Sequence, residues 1–179
     1  MRRVVLAMAV SVDGFVATED GGIDWIFPHL DEEVERRIID YVSETDVQLI
    51  GRVNFQEQAR YWPTAPDAQA PLINRAEKVV FSSTLKEARW SNARIAEHDV
   101  VTEIDRLKGL PGRDILVPGG ARFARHVAEQ GLVDLYRLMV YPVALGSGIP
   151  LFTSRVPLRL VESRTFATGA VSLVYRPGD

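Results

Sequence analysis

The sequence predicts an α/β fold, a mixed, mostly parallel three-layer sandwich with antiparallel strands at its C-terminal edge. Strand-like and helix-like stretches alternate over the first two-thirds of the chain, as successive β-α-β units require. The strand-like stretches there, "VVLAMAV" and "DILVP" among them, are near-continuous apolar runs, the pattern of strands covered on both faces. In the last third, "DLYRLMVYPVAL", "LRLVESRTF" and "VSLVYRP" follow one another without a helix between them, which antiparallel neighbours allow.

Residues 3–12 are rich in Val, Leu, Ala and Met and form the first strand. Their apolar run stops at Val12, before Asp13-Gly14, and no cleavage site follows, so a strand is expected in place of a secretory leader. "ATEDGGID" supplies turn residues, and "PHLDEEVERRIIDYVSE" sets Leu30, Val34, Ile38 and Val42 at steps of four with acids in the first turn, an amphipathic helix. "DVQLIG" is the second strand, "RVNFQEQARYW" a helix ended by Pro63, and "TAPDAQAPLIN" a loop with room for a helical turn. "KVVFSS" is the next strand. "ARIAEH" reads as a short strand, "DVVTEIDRLKGL" as a helix and "RDILVPGG" as a strand. "ARFARHVAEQG" puts Phe123 and Val127 on one helical face, with Gly131 as its stop. No repeat, linker or low-complexity tract interrupts this order, so one domain is expected over residues 1–179.

A chain of 179 residues that is 46% hydrophobic can bury a substantial core. Lys and Arg number 21 against 24 Asp and Glu, a formal charge of −3, so no basic footprint invites nucleic acid or an anionic membrane. Cysteine is absent, which excludes thiolate nucleophiles and cysteine zinc sites, and His29, His98 and His126 lack metal-ligand spacing. No bound metal is expected. No stretch approaches the roughly 20 apolar residues of a membrane span, and a cytoplasmic protein is expected.

The chemistry-bearing phrases lie at strand ends. In "ILVPGGARFARHV", Gly119 and Gly120 sit between a strand and a helix, where glycine permits close backbone approach and the helix N-terminus offers unpaired N–H groups to a phosphate. The same pair also serves a plain tight turn. "LIGRVNF" places Gly51 and Arg52 after another strand, and "VVFSS" ends in Ser82 and Ser83. Serine hydroxyls and an arginine fork bind phosphate oxygens, and contacts spread over several loops suit a dinucleotide better than a lone phosphate. In the alternative, Ser82-Ser83 caps a turn and Arg52 pairs with Glu57.

Taken in order, "LAMAVSVDGFVATEDGGIDW", "DVQLIGRVNF", "VVFSS" and "ILVPGGARFARHVAEQGLVDLYRLMVYPVALGSGIPLF" resemble the dihydrofolate reductase-like superfamily. The similar branch is the C-terminal reductase domain of bacterial riboflavin biosynthesis and its stand-alone relatives. The resemblance implies reduction by NADPH, with the cofactor lying across the strand ends of a dihydrofolate reductase-like sheet. It implies backbone contacts to the nicotinamide at Ala9 and Val10, and pyrophosphate contacts at Gly51, Arg52 and Asn54. It further implies a 2'-phosphate site at Ser82 and Ser83, a second pyrophosphate loop at Gly119, Gly120, Ala121, Arg122 and Phe123, and a homodimer.

For the acceptor, Trp25 and Phe27 serve as a hydrophobic wall or as core. Asp13 is either a hydrogen-bonding partner for substrate or part of an Asp-Gly turn. In dihydrofolate reductases the pterin carboxylate stands five residues beyond a tryptophan; from Trp25 that reaches Leu30, with Asp31 one residue later, so Asp31 is either that carboxylate or a helix-terminal acid. The riboflavin enzyme carries glutamate before the glycine pair, where this chain has Pro118. The expected function is transfer of hydride from NADPH to a small heterocyclic or carbonyl acceptor, with 5-amino-6-(5-phosphoribosylamino)uracil the nearest named substrate. Dihydrofolate reduction and a non-catalytic NADPH-sensing dimer are the alternatives.

Overall fold

The computed structural model describes residues 1–178 and builds one large sheet from the apolar runs. Its strands are β1 (Val4–Ser11), β3 (Thr45–Gly51), β4 (Glu77–Phe81), β5 (Ala93–Ile95), β6 (Asp114–Pro118), β7 (Leu135–Tyr141), β9 (Leu158–Thr165) and β10 (Val171–Pro177). They are ordered β5-β4-β3-β6-β1-β7-β10-β9. Every pair from β5 to β7 is parallel, and β10 and β9 close the edge antiparallel. A separate two-stranded piece pairs β2 (Phe15–Ala17) with β8 (Ile149–Pro150). Runs of three and two residues are too short to show periodicity, so the sequence gives no sign of these strands.

The helices are α1 (Glu32–Ser43), α2 (Arg52–Tyr61), α3 (Ala70–Arg75), α4 (Val100–Lys108) and α5 (Ala121–Glu129). The first begins later than its apolar spacing implies. Asp31 has extended backbone, and its carboxylate accepts from the Glu33 and Val34 N–H groups at 3.1 and 2.9 Å, which fixes the start at Glu32. Asp24–His29, with Pro28 inside, forms a short 3-10 turn in place of a helical beginning.

The two faces of the sheet differ. Beneath α4 and α5 a single core holds Leu6, Leu49, Val79, Ile104, Ile115, Val117 and Val127, each no more than 1% exposed. Each such side chain contributes roughly 1.5–3 kcal/mol of burial. On the other face the apolar residues fall into three smaller clusters, around Tyr141, around Trp90 and around Tyr41. The broken face is the one that carries a cleft. No helix among the described residues is long and apolar enough to cross a membrane.

Candidate active site

Neighbouring parallel strands β3 and β6 end at Gly51 and Pro118, and α2 and α5 begin directly beyond them. Neither helix has a side-chain cap: Gly51 is the N-cap of α2 and Gly120 that of α5. By contrast, α1 and α4 are capped by the carboxylates of Asp31 and Asp99. Two sets of unsatisfied N–H groups, each at a positive helix end, therefore face one crevice outside the carboxyl ends of the strands.

The glycines are required by geometry. Gly119 and Gly120 have φ of +61° and +74°, the left-handed region that side chains rarely adopt. A Cβ at Gly120 would also stand 3.0 Å from Asn54 Cβ. Asn54 holds the turn, its amide donating to the Pro118 carbonyl at 2.6 Å. Phe123 stacks on Phe81 with ring centroids 5.0 Å apart, which draws the end of β4 to the start of α5.

A cavity of about 1080 Å³ opens here and runs inward along the α1 face. That is the upper end of the usual range for small-molecule sites, room for a cofactor and a second ligand together. Ala9, Gly51, Arg52 and Asn54 line it, as do Gly119, Gly120, Ala121, Arg122 and Phe123. Arg52 and Arg122 are exposed at the two helix starts. Arg52 reaches Gln56 Oε1 at 3.3 Å and does not form the pairing with Glu57 that its position suggests.

Other predicted residues lie outside the lining. Val10 points to the opposite side of β1 and is buried in the core beneath α4 and α5. Ser82 Oγ accepts from the Thr84 and Leu85 N–H groups at 3.2 and 2.9 Å, the turn-capping arrangement, while Ser83 is exposed beside it. Asp13 accepts from Ser11 Oγ at 2.6 Å and from the Leu145 and Gly146 N–H groups at 3.1 and 2.8 Å. These bonds, the Ser11 hydroxyl first, hold its carboxyl below the usual range and tie the Asp13-Gly14 turn to the "ALGSG" loop. Asp31 is occupied in capping α1. Trp25 stands edge-on to Tyr141 with centroids 5.9 Å apart, so its ring helps wall the cleft only through Tyr141.

Inside the cleft the structure adds residues that no motif marked. Ile38, Tyr41 and Val42 of α1 face Gln48 of β3, Leu116 of β6, and Arg137, Met139 and Tyr141 of β7. Burial pushes the Tyr141 phenol up to about 12, so it stays a neutral hydrogen-bonding group across the physiological range. Asp24 and Glu57 are the carboxylates lining the cavity among the described residues.

The model of the RibD C-terminal domain matches residues 2–172. The chain belongs to the RibD C-terminal domain family. It is 35% identical over 182 residues to the uncharacterized protein YyaP of Bacillus subtilis (strain 168), covering 97% of this chain and 94% of that one. It is 31% identical over 160 residues to the riboflavin biosynthesis protein RibD of Corynebacterium ammoniagenes, covering 82% of this chain and 45% of RibD. The fold is similar to that of dihydrofolate reductase from Enterococcus faecalis in complex with NADP(H), with a TM-score of 0.63 at 12% identity over 99% of this chain and 97% of that one. The RibD-type chain thus has the dihydrofolate reductase-like fold expected from its sequence.

Proposed function

We propose that the chain is an NADPH-dependent reductase that passes hydride to a small heterocyclic or carbonyl acceptor. The observation that carries this is the pair of uncapped helix starts, α2 and α5, side by side with Arg52 and Arg122 at the mouth of a cavity large enough for two ligands. A dinucleotide's pyrophosphate answers both positive helix ends at once, and the glycine backbone at Gly119 and Gly120 lets it approach. The residues present fit the cofactor: Gly51, Arg52, Gly119, Gly120 and Arg122 would hold its phosphates, and Ala9 leaves space over β1 for the nicotinamide. NADPH, when bound, supplies the hydride.

The chain's own part is to orient the two partners and to exclude water. Ile38, Val42, Leu116 and Met139 make the inner cleft apolar, which favours contact between reacting carbons over hydrolysis or proton exchange. Membership of a family that includes RibD supports this reading, as does the fold shared with a reductase that binds NADP(H). Asp31 gives dihydrofolate reduction no support, because its carboxylate is engaged with the α1 backbone outside the cavity lining.

Titration of NADPH fluorescence, followed by loss of nicotinamide absorbance with a panel of uncharged ring and carbonyl acceptors, tests the proposal. Binding with stabilisation of roughly 2.7 kcal/mol at a hundred times the dissociation constant, together with turnover of at least one acceptor, is expected. An absence of thermal shift with NADPH would overturn it.

A further inference from the structure

Helix α2 presents its uncapped start to the cavity, yet Phe55 alone among its ten described residues is buried. A rod of that length, about 15 Å, pivots on a single buried point unless both ends are held. At the start, the Asn54 amide is fixed to the Pro118 carbonyl at 2.6 Å. The far end runs through its C-cap, Trp62, into the 3-10 turn Trp62–Thr64.

Asn74 holds that far end. Its Nδ2 donates at 2.8 Å to the Trp62 carbonyl, one of the oxygens a helix end leaves without an intrahelical partner, which otherwise has a long contact from the Ala65 N–H at 3.4 Å. Asn74 Oδ1 accepts from Trp90 Nε1 at 2.8 Å, and the Trp90 ring centroid lies 6.1 Å from that of Phe55. Both atoms of the amide are therefore committed, and its orientation is fixed by a donor on one side and an acceptor on the other.

Asn74 is in turn anchored from below. It lies in α3, a helix of six residues, too short to be stable alone. Its main-chain carbonyl accepts from Lys78 Nζ at 2.6 Å, and the same ammonium donates to the Ser91 carbonyl at 3.0 Å and lies 4.3 Å from the Trp90 ring centroid. Lys78 is 0% exposed, and an ammonium buried among neutral carbonyls costs free energy that methionine at the same position would avoid. What the cation gives in return is a hold on the last carbonyls of α3, where positive charge complements the helix end. Asn92 donates to the Asn74 and Arg75 carbonyls at 3.4 and 3.2 Å, and it does so from a φ of +57°, a conformation that non-glycine residues seldom adopt.

We infer that Asn74, held by the buried Lys78, is a positioning residue for the cofactor's pyrophosphate. It fixes the far end of α2 and so aims the free N–H groups of Arg52, Val53 and Asn54 at the crevice shared with Gly119 and Gly120. Neither Asn74 nor Lys78 lines the cavity; Trp62 and Ile73, which they support, do. The inference rests on the reductase reading in giving the start of α2 to a pyrophosphate.

The test compares wild type with Asn74→Asp, which keeps the acceptor for Trp90 and removes the donor to Trp62, and with Lys78→Met, which leaves the Asn74 side chain in place and reads the same relay should Asn74→Asp not fold. NADP+ binding is measured by calorimetry well below the melting temperature, and inorganic pyrophosphate is measured as its competitor. Asn74→Asp is expected to weaken both ligands about tenfold, and Lys78→Met about threefold. Glu103→Gln, whose ion-pair cluster lies away from the cavity lining, serves as the destabilised control and should bind both ligands as wild type does. Amide chemical shifts of the unliganded proteins supply a readout that a purely structural role would not move: those of Arg52, Val53 and Asn54, at the opposite end of α2 from the substitution, should change in both variants.

Affinities within about twofold of wild type in both variants, an equal loss in Glu103→Gln, or shift changes confined to residues 62–78 would overturn the assignment. Failure of wild type to bind either NADP+ or pyrophosphate strikes the reductase reading instead, and the shifts, read without ligand, still decide whether Asn74 sets the start of α2.

Discussion

Gly51 abuts Phe123: a Cβ at position 51 would stand 3.0 Å from Phe123 Cβ, closer than ordinary contact. The two residues belong to the starts of α2 and α5, so this contact sets the distance between the two uncapped helix ends. Because Gly51 has φ −75° and ψ 156°, alanine fits its backbone, and any harm done by Gly51→Ala comes from crowding alone. Phe123 is held on its far side by Phe81, which limits its retreat. Gly51→Ala is expected to cost about 1 kcal/mol, a drop of roughly 2–4 °C in melting temperature, and to weaken NADPH by about tenfold. Calorimetry and a fluorescence titration on the same preparation check both, and an unchanged NADPH affinity would remove the Gly51–Phe123 contact from the cofactor site.

Arg52 and Arg122 are exposed at the cavity mouth, and the Arg52 side chain has only a long contact to Gln56. Neither holds the fold together, so Arg52→Ala and Arg122→Ala should leave stability within about 0.5 kcal/mol of wild type. Each should weaken NADPH roughly tenfold at low ionic strength, with the deficit shrinking as salt screens the wild-type attraction. Titrations at two salt concentrations read this out. A deficit that ignores salt would mean that the guanidinium acts by something other than its charge.

The sheet was legible because parallel strands buried on both faces are apolar throughout, and "VVLAMAV", "VQLIG", "KVVF" and "DILVP" all became strands of it. Gly51, Gly119 and Gly120 were legible because a strand-to-helix turn with a positive φ or a tight neighbour leaves few residue choices. The inner cleft was harder to see. Its signals, Gln48 within "DVQLIG" and Arg137 within "LYRLMV", are single polar residues in apolar strands, and a strand's alternation does not say which face is left uncovered. The acids Asp13 and Asp31 stand in motifs that attract attention, yet both are engaged by nearby backbone N–H groups. Such local bonds are common where Asp precedes a turn or helix, and sequence alone does not separate them from substrate contacts.

Glu103 is 0% exposed and takes both Arg94 Nη groups, at 3.0 and 2.9 Å, with Arg106 Nη2 at 3.1 Å. The Arg94 hydrogen bonds hold its carboxyl down at about 2, below the ordinary value of 4.5. A folded-state value below the unfolded one adds stability that is complete above about 4.5 and is lost as pH falls toward about 2. Glu103→Gln should therefore flatten the acid side of the stability curve. At neutral pH it should cost about 2 kcal/mol, less than for a fully buried pair because Arg94 and Arg106 remain 30% and 43% exposed and can regain water. Urea melts across the acid range measure both effects. Because this cluster joins β5 to α4 away from the cavity lining, NADPH affinity should not change.

Lys78 lies on β4 level with Gln48 and is fully buried, its Nζ donating to the Asn74 and Ser91 carbonyls at 2.6 and 3.0 Å over the Trp90 ring. Burial drives the ammonium down to about 8 from 10.5. Between those values the unfolded chain carries a proton that the folded chain has released, so stability rises with pH across that window. Below about 8 both states are protonated, and the cost of burying the charge is felt in full. Lys78→Met carries no proton in either state, so the curve for the variant should lack the rise that wild type shows between pH 8 and 10.5. Its two freed carbonyls lower stability by a similar amount at every pH, which leaves the difference in slope as the diagnostic quantity. Parallel stability curves for wild type and Lys78→Met through this range would show that the hydrogen bonds and the Trp90 face keep the ammonium charged at its ordinary value.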